Sequence, residues 1–473
     1  MALLLTTLIA AVGLTCGASS ATQTRPNIVV IMTDDQTLES MRVMDNVNSE
    51  IAAEGMTFER SYVNFPLCCP SRATLLTGQY AHNHGVLDNE PPAGGYGVFQ
   101  SAHGTDNLVT WLDGSGYLTG HVGKYFNGYG EDDPAFVPQG WDEWYGAVPS
   151  AQQVYDYRLN ENGSLVRYGA DAEDFKTDVL TGKAVEFIEE HAPADEPFFL
   201  DLAYTAPHRA GPNPSPQAPA TTCSAAAKPA PRHAHAFDRE PLPQPPSFNE
   251  ADVTDKPFGI RERATVGERG TARLTRRYRC MLESLLAVDE GAGEVMDALE
   301  RSGEVEDTVV LFTSDNGFFY GEHRVTDGKL RHYEPSTRVP LVIRGPGIPA
   351  NSSTTEPVIN ADLAPTLLDA AAADPSHPLD GLSLLPLGGD PDLDLDRDLL
   401  LESRHYAAVR GDRYVYVEHG NGRSREMYDL DADPHELENL IGAEHRVRIQ
   451  ADLARRLDAL RTCAGQSCSV SPR

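Results

Sequence analysis

The chain has 473 residues, too many for one ordinary domain, and its hydrophobic fraction of 40% is typical of a globular protein. Its 70 acidic residues outnumber 39 basic ones, so the formal net charge is −31. A surface this acidic repels nucleic acid and anionic lipid, and neither is expected as a partner. It also disfavours a long polyanionic substrate unless a local basic pocket overrides the overall field.

The N-terminal stretch is apolar and ends in the small residues GASSA at positions 17–21. This pattern predicts a signal peptide over residues 1–21, cleaved near Ala21, and therefore a secreted or extracytoplasmic protein, although no lysine or arginine precedes the apolar stretch. A lipoprotein anchor at Cys16 is disfavoured, because the residues before it match the usual anchor pattern poorly. No later apolar run is long enough to span a bilayer, so no membrane contact is expected.

Short apolar runs that do not alternate with polar residues predict buried parallel strands. Helical patterns lie between them, for example over Thr177–Glu190 and Met281–Leu299. This alternation predicts an α/β fold, in which a large, doubly wound, mixed but mostly parallel sheet is flanked by helices over residues 26–390. The predicted strands are Ile28–Met32, Leu118–Val122, Phe198–Ala203, Thr308–Thr313 and Leu341–Arg344.

Residues 210–263 are rich in proline and alanine and show no clear periodicity. Such a stretch is either disordered or a functional loop. Because it begins two residues after His208, a candidate site residue described below, we favour a loop near the mouth of the site.

From residue 391 the pattern changes to short strands followed by one helix, Val447–Leu460. This predicts a small C-terminal α+β subdomain with its tail over residues 391–473, in which the helix covers an antiparallel sheet. The predicted strands are Leu399–Glu402, Tyr406–Arg410, Tyr414–Glu418 and Glu426–Leu430.

The seven cysteines allow one direct prediction of a disulfide. Cys463 and Cys468 are five positions apart and are expected to close a small loop. Cys69, Cys223 and Cys280 cannot all pair among themselves, so one bridge and one free thiol are expected. The sequence does not choose which of the three remains free.

The most informative segment runs from Cys68 to Gly78 with the sequence CCPSRATLLTG. Pro70 suits the first turn of a helix, because its fixed φ is helical and its missing N–H is not needed there. The free N–H groups and the positive end of the helix dipole then face the side chain at position 68. Arg72 adds a permanent charge whose donors suit a tetrahedral oxyanion.

This segment closely resembles the signature of the type I sulfatases, Cys-x-Pro-Ser-Arg-x-x-x-Leu-Thr-Gly. In that family a formylglycine-generating enzyme converts the first cysteine to formylglycine, which implies this modification at Cys68 and not at Cys69. The resemblance implies an alkaline-phosphatase-like fold and a sulfuric ester hydrolase. One hydroxyl of the aldehyde hydrate attacks sulfur and releases the alcohol. The other hydroxyl then loses its proton, and the re-formed carbonyl expels sulfate.

Two polar pairs, Asp34-Asp35 and Asp315-Asn316, follow predicted strands. Alone, such residues are most often turn formers or helix caps. Their carboxylate and amide oxygens are also the ligands that Ca²⁺ or Mg²⁺ prefers. The resemblance implies that both pairs, with the modified Cys68, hold one divalent cation, calcium in preference to magnesium. That cation would neutralise a sulfate oxygen and lower the pKa of the aldehyde hydrate.

Three further residues match family elements that contact the sulfate ester. Lys124 lies in a Gly-Lys element, and with Arg72 it would donate to the sulfate oxygens. His208 follows a predicted strand, and Lys329 comes fourteen residues after Asp315. The resemblance implies that Lys329 stabilises charge on the leaving oxygen, while His208 or a neighbour supplies the proton. Without the resemblance, a single lysine or histidine at such a position would be an ordinary surface or loop residue.

Within the family, the chain is most similar to the N-acetylglucosamine-6-sulfatases and the extracellular heparan endosulfatases. The expected substrate is therefore a small-molecule or glycan sulfate ester, although the chain lacks the long basic region of the heparan endosulfatases. The walls of the pocket are expected from Glu90–Gln100 and from the loop after His208. The resemblance spans roughly residues 26–440, and the segments that carry it are Leu67–Arg72, Tyr80–His84, Gly123–Tyr129 and Arg338–Gly347.

Two alternative functions remain open from the sequence. A phosphonate monoester or phosphodiester hydrolase on the same fold would share the nucleophile motif and the metal pairs, because a tetrahedral phosphoryl group fits the same donors. A non-catalytic protein that binds sulfated glycans would keep Cys68 unmodified, although every charged position of the site is filled.

Overall fold

The computed structural model describes residues 25–148, 152–192, 196–211, 219, 223, 225–420 and 422–469. The predicted signal peptide, residues 1–21, lies outside the described residues. Among the residues that are described, no helix combines the length and the apolar character needed to cross a bilayer.

A large mixed sheet runs through the main part of the molecule, with a two-stranded sheet beside it. All five strands predicted in this part of the sequence are present, and their bounds agree to within one residue. In chain order, strands β1 to β12 are Asn27–Thr33, Met56–Phe58, Ser61–Tyr62, Leu118–Gly123, Glu143–Val148, Arg158–Glu161, Ser164–Arg167, Phe198–Ala203, Thr308–Ser314, Leu341–Arg344, Ser352–Thr354 and Val358–Ile359.

The large sheet has the strand order β11-β2-β10-β9-β1-β8-β4-β5-β6-β7. Its central strands, β9-β1-β8-β4-β5, all pair in parallel, whereas β10, β6 and β7 run antiparallel to their neighbours. The carboxyl ends of β9, β1, β8 and β4 therefore meet at one edge of the sheet. In folds of this kind, ligands bind beyond that edge.

Helices cover both faces of the sheet, as the doubly wound pattern predicts. In chain order, helices α1 to α11 are Cys68–Thr77, Ala81–His84, Gly95–His103, Leu108–Gly114, Lys176–His191, Phe258–Arg261, Glu268–Ser302, Glu334–Thr337, Leu363–Ala371, Leu385–Gly389 and Val447–Leu460. Side chains of β1 alternate between the two cores: Ile28 and Val30 pack on the side of α1, α3, α4 and α9. Val29 and Ile31 pack on the side of α5 and α7.

Helix α7 is longer than the sequence predicts. The predicted part, Met281–Leu299, carries the apolar face that packs on α5 and the sheet, but the helix begins at Glu268. The added N-terminal part contains five arginines and buries few side chains, so it has little apolar periodicity to reveal it. Further along, Gly291 permits close packing, since a Cβ there would lie 2.3 Å from the hydroxyl of Thr181.

The described part of the Pro/Ala-rich stretch has little regular structure but is tied to the helices. Within residues 225–263, Arg232 forms ion pairs of 2.6 Å with Asp178 of α5 and Glu290 of α7. Side chains of the stretch also line a hollow together with His208. Part of the stretch therefore lies beside His208.

The C-terminal part contains a four-stranded antiparallel sheet, covered by α11 as predicted. The last strand begins and ends slightly earlier than the sequence indicates. Strands β13 to β16 are Leu399–Glu402, Tyr406–Arg410, Tyr414–His419 and Ser424–Asp429.

Polar contacts join this sheet to the residues at the start of α8. The hydroxyl of Tyr333 donates to Glu426 of β16 at 2.6 Å. Glu334 pairs with Arg410 of β14 at 2.5 Å. The two parts of the chain therefore share an interior, in which charged groups are matched across the contact.

A second buried contact lies at the start of the C-terminal sheet, where both oxygens of Asp362 accept hydrogen bonds from Arg397. Asp362 is fully buried, and its carboxylate also accepts the backbone N–H groups of Ile359 and Leu382 at 2.8 and 2.9 Å. One carboxylate thus organises two backbone turns and holds one arginine.

The disulfides settle the pairing that the sequence leaves open. Cys463 and Cys468 are bonded, as predicted, and Cys223 is bonded to Cys280. Cys69 therefore keeps its thiol, as does Cys68.

Replacing Arg397 with methionine leaves the carboxylate of Asp362 buried without its cation. We expect a loss of stability of about 3–5 kcal/mol, seen as a lower midpoint of thermal unfolding. Arg404→Met is the matched control, because Arg404 pairs with Asp88 at 2.8 Å on the surface, where the pair contributes about 0–1 kcal/mol. Equal midpoints for the two variants would contradict this account.

Candidate active site

Both predicted polar pairs meet at the carboxyl edge of the large sheet. Asp34 and Asp35 follow β1, and Asp315 and Asn316 follow β9, which pairs with β1 in parallel. The backbone N–H of Asp35 donates to Asp315 at 3.3 Å, and the side-chain amide of Asn316 donates to Asp35 at 2.6 Å. All four side chains belong to buried residues. The two pairs therefore form one closed cluster.

Cys68 is the first residue of α1 and belongs to the same cluster. Its Sγ lies 3.5 Å from a carboxylate oxygen of Asp34 and 3.0 Å from Nζ of Lys329. Pro70 lies in the first turn, and Gly78 ends the helix in the left-handed conformation with φ of 62°. The signature segment thus forms one complete helix, whose N-terminal side chain contacts the carboxylates.

The neighbouring Cys69 points elsewhere. Its sulfur accepts the backbone N–H of Asn127 at 3.2 Å, and its side chain packs in the hydrophobic core. Of the two adjacent thiols, the one at Cys68 is therefore the one that contacts the acidic cluster.

Three cationic side chains compensate the carboxylates. Two guanidinium nitrogens of Arg72 each lie 3.0 Å from one oxygen of Asp315. Lys124 and Lys329 each form a hydrogen-bonded ion pair with one carboxylate of the first acidic pair. Arg72 also donates to the backbone carbonyl of Lys124 at 2.9 Å, which links the two cations.

His208 lies at the rim of the cluster. Its Nε2 is 3.7 Å from a carboxylate oxygen of Asp35, and its side chain is 19% exposed. Its Nδ1 lies 2.9 Å from the backbone carbonyl of Arg209, which can only accept, so Nδ1 carries a proton. All the site residues predicted from the sequence are thus brought together, with His208 the furthest from the centre.

The pKa values of the cluster follow from burial and charge. Burial and the nearby Asp34 carboxylate together raise the pKa of the Cys68 thiol to about 11. An unmodified thiol is therefore protonated at neutral pH and is a poor nucleophile. Burial alone would raise the pKa of Asp34 and Asp35, but Lys124, Lys329 and His208 outweigh it, so both carboxyls have a pKa below the usual range and stay ionised.

The donor atoms of the cluster fit a hard divalent cation. Single atoms of Asp34, Asp35, Cys68 and Asp315 all lie within 4.8 Å of one another. Among the residues that the structure describes, none donates a hydrogen bond to the buried amide oxygen of Asn316, although its amide nitrogen makes two hydrogen bonds. A buried acceptor left without a donor beside three carboxylates is suited to a calcium or magnesium ion.

A cavity of about 170 Å³ opens over the cluster. Within the predicted wall Glu90–Gln100, Glu90 lines this cavity, whereas the later residues begin α3, whose Phe99 stacks on Phe126 with ring centroids 4.3 Å apart. Eight further wall residues were not predicted from the sequence. Four of them come immediately after Lys124 in the chain, and this adjacency is the signal that could have identified them. The additional wall residues are Tyr125, Phe126, Asn127, Gly128, Glu131, Ala147, Gln152 and Thr205.

Profiles of known protein families match two parts of the chain. The Sulfatase profile matches residues 26–373. The profile of the C-terminal domain of N-sulphoglucosamine sulphohydrolase matches residues 321–463. The first match alone covers most of the sequence.

Curated relatives agree with these matches. Human N-acetylglucosamine-6-sulfatase is 32% identical over 509 aligned residues, which cover 96% of this chain and 87% of that protein. The extracellular sulfatase SULF-1 homolog of Drosophila melanogaster is 34% identical over 378 residues, covering 78% of this chain and 32% of that protein. The chain thus spans less than half the length of this relative, and it covers 49% of a Sulf-1 homolog of Caenorhabditis elegans.

Solved structures share the architecture. A protein solved in complex with its substrate D-glucosamine-2-N,6-O-disulfate has a TM-score of 0.75 and 25% identity, covering 92% of this chain and 97% of that one. The phosphonate monoester hydrolase of Agrobacterium radiobacter has a TM-score of 0.65 at 24% identity, and the match covers 92% of this chain and 95% of that one. At this identity the match shows only that the two proteins share a fold. On the profile match and the human relative, the chain belongs to the sulfatase family, with its alkaline-phosphatase-like fold.

Proposed function

We propose that this chain is a secreted sulfuric ester hydrolase that cleaves sulfate monoesters of an aryl or sugar alcohol, with formylglycine at position 68 as its nucleophile. The observation that supports it most strongly is the position of the Cys68 sulfur, which lies within 4.8 Å of three buried carboxylates and 3.0 Å from Lys329. The sulfatase names of its relatives support the same reaction class. The high pKa of the unmodified thiol agrees with a site that acts only after conversion.

The fixed charges of the site favour an anionic ester. Within the acidic cluster, three carboxylates are matched by three cations, Arg72, Lys124 and Lys329, so the charges of the cluster sum to zero. A divalent cation held by the two acidic pairs would therefore leave the site positive, which attracts a sulfate ester. When bound, this ion, calcium in preference to magnesium, would polarise a sulfate oxygen and acidify the aldehyde hydrate.

Each remaining side chain has a distinct role in the proposal. Arg72 and Lys124 bind sulfate oxygens and keep the sulfur in one orientation. Lys329, 3.0 Å from the Cys68 sulfur, stabilises negative charge that develops at the departing oxygen. His208, at the rim, donates the proton that the leaving alcohol needs.

Secretion and maturation complete the proposal. The predicted signal peptide and the extracellular relative both support export. A formylglycine-generating enzyme is then required as a transient partner, because the chain itself does not oxidise Cys68.

Replacing Cys68 with alanine should abolish hydrolysis of an aryl sulfate, a loss of at least about 10³-fold, because the covalent step has no nucleophile. Cys69→Ala is the matched control and should keep most of the activity, since its sulfur contacts only the core and one backbone N–H. Mass spectrometry of the tryptic peptide Ser61–Arg72 should show formylglycine at position 68 and cysteine at 69. A Cys68→Ala protein as active as the parent would refute the proposal.

Removal of calcium with a chelator should lower both activity and the thermal midpoint, and added calcium should restore both better than magnesium does. Asn316→Ala should reduce the calcium bound per chain, measured by elemental analysis. Asn360→Ala is the matched control, because the buried side-chain amide of Asn360 forms hydrogen bonds with Asn64 and Ser71, outside the cluster. Equal calcium content in the two variants would argue against Asn316 as a ligand.

Rates on an aryl sulfate and on the corresponding aryl phosphonate monoester test the runner-up function. We expect a higher kcat/KM for the sulfate. The opposite preference would assign the chain to phosphonate hydrolysis. Binding of sulfated glycan with Cys68 unmodified, and with no turnover of either ester, would indicate the non-catalytic protein.

A further inference from the structure

A groove rich in arginine lies beside the candidate active site. We call it the arginine groove; it is a cavity of about 520 Å³ whose charged lining residues are Arg209, Arg273, Arg276, Arg277 and Asp327. Four arginines against one aspartate leave an excess of three positive charges. The chain as a whole has a net charge of −31, so the groove carries charge of the opposite sign.

Most of this charge is available to a ligand. Arg273 and Arg276 are exposed on the N-terminal part of α7, and Arg209 is exposed directly after His208. Within the described ranges of the chain, none of these three arginines forms an ion pair with a carboxylate. Arg277 alone is engaged, with Asp327 at 2.9 Å.

The groove adjoins the catalytic cluster. A small hollow between them is lined by Asp35, Tyr320, Arg209 and Arg277. Asp35 belongs to the proposed calcium site, and the two arginines also line the groove. The arginine groove therefore reaches, through this hollow, a carboxylate of the catalytic cluster.

We propose that the arginine groove binds a second anionic group, a sulfate or a carboxylate, of the same substrate whose sulfate ester is hydrolysed at position 68. This inference rests on the proposed sulfatase function. A guanidinium donates two parallel hydrogen bonds to either anion, and the cavity is large enough for a sugar unit with its charged substituent. The favoured substrate is then a glycan with at least two anionic groups, in preference to a simple aryl sulfate.

The proposal also answers the constraint set by the overall charge. A strongly acidic protein repels a multiply charged substrate at long range, unless a local positive field draws it to the site. The arginine groove supplies such a local field, and the hollow lined by Asp35 links it to the catalytic cluster. Binding energy gained in the groove holds the scissile ester over the cluster. A substrate whose alcohol portion is uncharged does not gain this binding energy.

The test compares two substrates and two sets of variants of the mature protein. The substrates are an aryl sulfate and a 6-sulfated glucosamine disaccharide that carries a uronate. Arg273→Gln/Arg276→Gln should lower the ratio of kcat/KM for the disaccharide over the aryl sulfate by about tenfold, mainly through KM. Arg269→Gln is the matched control, because Arg269 is exposed on the same helix outside the groove, and it should leave the ratio unchanged.

An unchanged ratio in the double variant would overturn the proposal. If the parent hydrolyses no sulfate ester, the proposed function fails instead. Calorimetric binding of the disaccharide to Cys68→Ala protein, with and without the double substitution, then still tests the groove. Equal affinities would refute it, and a loss of affinity of about tenfold would support it.

Discussion

Three carboxylates buried side by side, at the ends of two neighbouring parallel strands, are the constraint on which the rest of the structure depends. Such a group is costly to bury unless cations and hydrogen-bond donors compensate it. The compensating cations come from α1, from the turn after β4 and from the segment after β9. Charge balance therefore fixes the sheet edge, the signature helix and a distant loop relative to one another.

Much of this arrangement could be predicted from the sequence. Buried parallel strands are continuous apolar runs, which makes β1, β4, β8 and β9 visible, and their shared polarity brings Asp34 and Asp315 to one edge. The signature of α1 identified Cys68 and Arg72 by family resemblance. The two acidic pairs meet because β1 and β9 pair in parallel. Strand pairing is a regular geometry, so the hydrophobic pattern of the sequence is enough to predict it.

Other features of the site depend on irregular packing and could not be predicted in this way. The wall residues Glu131 and Gln152 come from turns, and the pairing of Cys223 with Cys280 depends on where a stretch without periodicity lies. The arginine groove combines a residue after β8 with the polar half of α7, sixty-four positions later at Arg273. The sequence indicates that a local basic pocket is needed for a polyanion, but not where it forms.

The contacts of Tyr333 and Glu334 with the C-terminal sheet limit which parts of the chain can be exchanged between relatives to make chimeric proteins. Lys329 lies only four residues before Tyr333, on the same segment that this sheet holds in place. A C-terminal sheet taken from a relative would meet this segment with different partners, and buried polar groups on both sides would lose their complements. The small sheet and the segment that carries Lys329 should therefore be exchanged as one unit. A chimera joined between them should lose catalytic activity, through displacement of Lys329, even where it still folds.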